Sequence, residues 1–241
     1  MEQNKVRTYI LYALGEILLV VLGILIALQI NNWNEQMKQD RSERRVIQSL
    51  ILEMETNIPA IADCIGVLEE SIASTDTLQA HIGPEPTGLP KKDLIRLLGM
   101  SIGTSDRCVL QTDVSDELRS SGNLNLIQSS ELRRKVSLWS TTYQELKEEE
   151  EEWGNEFSTI SVPYLNKWIS WDDIDYHFFE ASPAYNPSPF DYDPGRVLQE
   201  FEFSNILNIN YWRMDRIKDR IQSLSDVTTE LLQMLRDEME S

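Results

Sequence analysis

The run YILYALGEILLVVLGILIALQI at residues 9–30 carries a single ionisable side chain, Glu16. As a helix rising 1.5 Å per residue it covers about 33 Å, close to the hydrocarbon thickness of a bilayer. A transmembrane helix is therefore expected. The run is too long for a cleaved signal peptide, and no A-x-A-like site follows it, so an uncleaved signal-anchor fits better. Tyr9 and Tyr12 at one end and Trp33 at the other suit the two membrane–water interfaces. The chain then divides into a short tail (1–8), the span (9–30), a helical stalk (31–45) and a helical-bundle domain (46–241). A tail of this length is expected to be too short for a signalling output domain. Charge gives no clear orientation: Lys5 and Arg7 on one side face Lys38, Arg41, Arg44 and Arg45 on the other, and long domains translocate largely regardless of such charges.

Tyr12, Glu16, Val20, Gly23 and Ala27 share one stripe of this helix. Gly23 and Ala27 form a small-xxx-small pair, which admits a second helix at close range. An intramembrane carboxylate is costly, so Glu16 is a candidate functional residue in helix pairing. Its plainer reading is a shallow or protonated group bonded to Tyr12.

The remainder is acidic, with a net charge of −18. Nucleic acid needs a basic surface and is not expected as a partner. Anionic headgroups should repel most of the domain, apart from the basic patch at residues 41–45. Cys64 and Cys108 are too few for a disulfide framework. Two separate thiols are the plainer expectation, and a single bridge is open to them in a periplasmic domain.

Long periodic segments predict helices. Ile47, Ile51, Met54, Ile58, Ile61, Ile65, Leu68, Ile72 and Thr75, with Gln79 and Ile82, form a heptad seam continuous with the stalk. Pro59 interrupts the seam, as a kink or as the mark of a new first turn, and GPEPTGLP at 83–90 ends the helix. A second helix starts at the N-cap Ser129 and carries Leu132, Val136, Trp139, Tyr143, Leu146, Glu150, Trp153, Phe157, Ile160 and Tyr164 inward. A third starts near Ser204 with Leu207, Met214, Ile217, Ile221, Leu224, Thr228, Leu231 and Leu235. Short helices are expected near 91–100 and 113–121, with Gly122 as a C′ glycine. The fold class is all-α: the transmembrane helix runs into an elongated three- to four-helix bundle with one long irregular loop at 168–195. If the second long helix descends toward the membrane, that loop lies close to the bilayer.

Two blocks, YALGEILLVVLGILIALQINNWNE (12–35) and ELRSSGNLNLIQSSELRRKV (117–136), resemble an uncharacterised family of single-pass bacterial envelope proteins, mainly from Bacteroidota. The resemblance implies an inner-membrane protein with a cytoplasmic N-terminus and a periplasmic domain. It implies no activity.

Catalytic patterns are thin. GMSIG (99–103) matches a nucleophile elbow, with Asp172 and His177 following in triad order, but an elbow needs a preceding strand and here an amphipathic helix precedes it. Asp172, Asp173, Asp175 and His177 are weak metal candidates, and DYDPG lacks the glycine of a calcium loop. The acidic run at 148–152 is expected to be solvated. The loop aromatics Trp168, Trp171, Phe178 and Phe179 are candidate partner-binding residues, as rings are favoured interface anchors; the alternative is that they close the end of the bundle. The expected role is a non-enzymatic interaction or accessory subunit of the envelope, without cofactor, engaging a protein partner or forming a homo-oligomer. Alternatives are a ligand-sensing bundle signalling through a partner and, third, an enzyme.

Overall fold

The computed structural model describes the backbone of residues 2–86, 88–102, 108–178 and 185–240, with side chains from Leu14 onward except Phe178. Among these residues the fold is all-α, with no strand. α1 (Glu2–Gln79) is one unbroken helix. Residues 14–39 are exposed along its whole circumference, and burial begins at Glu43. One helix near the N-terminus is thus long and apolar enough to cross a membrane. Pro59 lies inside α1 on its exposed side, so the carbonyl four residues earlier, which Pro59 cannot serve, faces solvent.

α2 (Lys91–Ile102) packs at the far end of α1. The chain then descends along α1 through α3 (Asp113–Ser120) and the 3₁₀ turn Asn123–Leu126. Gly122 takes φ 73°, the left-handed conformation expected of a residue just past a helix end. α4 (Ser130–Glu156) starts at the near end, where the Ser129 hydroxyl accepts the Leu132 N–H, and climbs away again. A π turn (Phe157–Ser161), α5 (Val162–Leu165), α6 (Trp171–Phe178) and the 3₁₀ turn Pro194–Gln199 form a cap at the far end. α7 (Phe201–Glu240) returns along both α1 and α4.

α7 is antiparallel to α1, because Lys218 pairs with Glu69 (2.8 Å) and Arg236 with Glu55 (2.6 Å). It is antiparallel to α4 through Arg213 with Glu156, Arg216 with Glu149 and Arg220 with Glu145. Between them Trp139, fully buried, donates its indole N–H to the buried Thr228 hydroxyl at 2.9 Å. All eight apolar-row positions read from the α7 sequence are buried.

The seam on α1 differs from the expected one by one residue. Ile47, Met54, Ile61, Leu68 and Thr75 are buried as expected. The alternate row is Leu50, Asn57, Cys64, Ser71 and Leu78, whereas Ile51, Ile65 and Ile72 are half-buried and Ile58 is 38% exposed. The isoleucines lie on the flank that carries Glu55 and Glu69, facing α7. The polar row faces the descending segment. On α4 the register holds through Glu150; the π turn then adds a residue to one turn, which leaves Ile160 57% exposed and buries Ser161, Tyr164 and Leu165.

The run at 148–152 is not merely solvated. Glu149 and Glu152 pair with Arg213, and buried Glu150 accepts the Cys108 N–H at 2.9 Å.

Candidate functional site

The descending segment 108–128 is held to α1 by side chains gripping main chain. Glu43 accepts the Gln128 N–H at 2.5 Å. Glu53 accepts the N–H groups of Val114 (2.7 Å) and Ser115 (3.3 Å) at the start of α3. Asn57 brackets Gln111, accepting its N–H at 2.9 Å and donating to its carbonyl at 2.8 Å. Tyr143 reaches from α4 to accept the Leu110 N–H and donate to the Cys108 carbonyl. Cys64 and Cys108 are joined in a disulfide with Cα atoms 5.5 Å apart, which replaces the two separate thiols expected from spacing. Burial, only partly offset by the N–H groups around it, pushes the Glu53 carboxyl above its ordinary value.

The cap lies at the opposite end of the bundle from the apolar segment, against Leu78 of α1. Leu78 follows Ile30 by a helical rise of about 70 Å. This corrects the expected position of the 168–195 loop beside the bilayer. The reason is topological: the irregular segment 108–128 makes the descent, so α4 climbs. Within this loop α6 is helical, and the 3₁₀ turn Pro194–Gln199 begins at its end.

Tyr164, Leu165, Ile169 and Ile174 are buried against Leu94, Leu98, Phe203 and Leu207. Trp168 and Trp171 are half-buried; the Trp171 indole donates to Asn166 at 2.6 Å and its ring meets Phe157 edge-on. Burial, with Glu200 and Glu202 nearby, pushes the Tyr164 phenol up to about 12. The Phe178 side chain and Phe179 lie outside the described residues.

Asp173 is 5% exposed and serves the cap itself. It accepts the Tyr192 hydroxyl at 2.7 Å and the Ser188 N–H at 2.8 Å, and lies 3.5 Å from the Lys91 ammonium. Burial alone would raise its pKa. Those two bonds and Lys91 outweigh burial and hold it below its ordinary value. Asp172 is exposed, and Asp175 and His177 are half-buried. Among the described residues no group of three or more His, Cys, Asp or Glu side chains converges as a metal set. Ser101 of the GMSIG pattern is buried inside α2, donating to the Leu98 carbonyl, without a strand before it; Gly103 lies outside the described residues.

On the apolar segment, Glu16, Gly23 and Ala27 are exposed, and a side chain built at Gly23 would meet nothing within 4 Å. The Tyr12 side chain lies outside the description. The polar grips on the descending segment were missed from sequence; Glu53 and Asn57, polar residues spaced as core positions, were the available signal.

These features define an all-α protein built on one long helix, whose first part is apolar and unburied and whose second part carries a bundle. The chain belongs to a family of unknown function, DUF6090, whose family model matches residues 16–143, slightly more than half of the chain. That range takes in most of the apolar segment, the descending segment and all of its partners on α1. No curated protein and no solved structure matches it.

Proposed function

We propose that this protein is a non-enzymatic interaction subunit of the bacterial cell envelope, anchored in the inner membrane by residues 9–30. Its N-terminus is cytoplasmic and its bundle periplasmic. A protein partner or a second copy packs on the face of α1 that bears Tyr12, Glu16, Gly23 and Ala27.

The observation carrying this reading is the side of α1 on which the core lies. Eighteen residues make about five turns, so Glu16, Leu52 and Glu70 fall on one line, as do Gly23, Pro59 and Thr77. Leu52, Pro59, Glu70 and Thr77 are all exposed, on the side opposite the buried row of Leu50, Met54 and Ile61. The bundle therefore leaves the Glu16–Gly23–Ala27 side clear for a partner along the length of the helix. The Cys64–Cys108 disulfide supports an oxidising compartment such as the periplasm.

A reporter fused after Ser241 should be active only in the periplasm; cytoplasmic activity contradicts the orientation. Gly23→Ile should weaken recovery of the partner or dimer in mild detergent, while Leu22→Ile should not. Equal behaviour of the two variants contradicts pairing through this face.

Ligand sensing is the second reading. The unbroken course of α1 from the cap to the apolar segment supports it, since that helix could carry a change at the cap to a membrane partner.

A further inference from the structure

Toward the cap, the ionic seam between α4 and α7 gives way to an apolar patch. Glu145 pairs with Arg220, Glu149 with Arg216 and Glu156 with Arg213. One turn further along the same two rows stand Ile160 of the π turn and Ile209 of α7, 57% and 53% exposed. Trp212 lies one turn from Ile209 and is equally exposed, and Phe201, more exposed still, extends the row toward the cap. Phe201 and Trp212 are a helical rise of about 16 Å apart. The π turn is what sets Ile160 here. Such turns are rare and concentrate at functional sites, and this one turns outward an isoleucine whose spacing directs it into the core. Apolar side chains gathered on one exposed face mark a contact surface.

Position and charge decide what covers it. Lys218 pairs with Glu69, so Trp212 lies level with about residue 75 of α1, roughly 65–70 Å of helical rise past Ile30 and far from any bilayer that Ile30 borders. A second copy anchored in the same membrane is related by an axis along the membrane normal, so each residue of the patch meets its own counterpart. The patch is acidic at its edges, and that arrangement sets like charge on like. On the seam three carboxylates, Glu149, Glu152 and Glu156, share two guanidinium groups, Arg213 and Arg216. Glu202, Asp215 and Asp219, all exposed, border the patch on α7. The complement of this surface is apolar at its centre and basic at its rim. Two antiparallel helices offer a shallow groove, and three turns of length match a helix with apolar anchors at i, i+4 and i+7. Trp212, with the Arg216 guanidinium 5.1 Å from its ring, is the kind of anchor that dominates such contacts.

We infer that this face docks a basic amphipathic helix of a protein partner. The apolar side of that helix covers Ile160, Ile209, Trp212 and Phe201, and its lysines and arginines reach Glu202, Asp215 and Asp219. The surface belongs to α4 and α7, so the inference stands without pairing through α1; only the exclusion of lipid and of a second copy rests on the membrane reading above.

The test is photocrosslinking of the full chain in the cells that make it. The photoreactive residue p-benzoylphenylalanine, which keeps an aromatic ring, replaces Trp212 or Phe201. The control replaces Leu138, another exposed apolar residue, about 30 Å of helical rise lower on α4. Melting by circular dichroism confirms that each variant is folded, and the joined segments are read by mass spectrometry. Residues 201 and 212 should both join a protein segment with apolar residues at i, i+4 and i+7 and a net positive charge, in about fivefold or greater yield than residue 138. Asp215→Asn with Asp219→Asn should lower that yield about fivefold, the effect of two exposed ion pairs, without moving the melting temperature. A yield no greater than that of residue 138 overturns the inference. So do an adduct with lipid, with a second copy of this chain or with a segment lacking basic residues, and a yield indifferent to the two aspartate changes.

Discussion

In the half of the bundle nearer the apolar segment, α1 holds its neighbour through polar side chains on main chain: Glu43, Glu53 and Asn57 grip residues 111–128, and a disulfide closes the upper end. At the far end the cap is held by packed rings and aliphatic side chains around Tyr164, Leu165 and Phe203, with Asp173 tying two turns together. The descending segment relies on long-range bonds that each need one specific partner, beside an apolar core shared by α1, α4 and α7. The cap relies chiefly on area removed from water, which is less directional. The descending segment should therefore respond sharply to small chemical changes that leave volume intact, and the cap to loss of volume.

The largest expected effect is loss of the disulfide. Its cysteines are 44 residues apart, and Cys64→Ser with Cys108→Ser should cost roughly 3–4 kcal/mol in a urea titration. An unchanged midpoint would remove the disulfide from the comparison. Next is Asn57→Ala, which leaves both main-chain groups of Gln111 without their partner and should cost about 2 kcal/mol. Trp171→Ala in the cap removes a half-buried ring and its bond to Asn166 and should cost about 1–2 kcal/mol. If it exceeds Asn57→Ala, the two halves are ranked wrongly.

The smallest effects concern pH, and the two halves move oppositely. Glu53 has a raised pKa in the folded state. Its stabilising share is present below the ordinary value of 4.5 and is lost as pH rises through the folded value. Asp173 has a lowered pKa. Its share is present above 3.8 and is lost as pH falls through the folded value. In melting-temperature profiles, Glu53→Gln should flatten the wild-type slope on the neutral side of pH 4.5, and Asp173→Asn the slope on the acid side of pH 3.8. Identical profiles for the two variants would contradict the assignment.

The same contrast decides what could be read from sequence. α7 was legible over most of its length, because its buried row is apolar apart from Asn210 and Thr228 and its partners are other helices. The Ser129 cap and the Gly122 turn are local signals and were legible too. The polar row on α1 was not. Asn57 is buried and Cys64 half-buried where they meet residues 54 and 44 positions away, and periodicity carries no trace of such partners. The isoleucines beside them drew the seam one residue off. The π turn after α4 shifts the register between Gly154 and Pro163, neither of which by itself fixes where a helix gains a residue. The direction of α4 followed from the same omission: with residues 108–128 unread as a descending leg, the cap was expected at the wrong end. For the candidate site, the Glu16–Gly23–Ala27 stripe was legible as a face. That this face points away from the core emerged only once the buried side of α1 was known.

α1 separates the cap from the apolar segment by the full length of the bundle. Energy transfer to headgroup-labelled lipid tests it most directly. With the disulfide intact, a dye is placed at Asp172→Cys or at Ser130→Cys in the full chain inserted into acceptor-doped vesicles. The foot-of-bundle label at residue 130 should transfer efficiently, and the cap label at residue 172, about 70 Å along α1 from the apolar segment, should transfer almost nothing. Equal transfer from the two sites would place the cap beside the bilayer and overturn this separation.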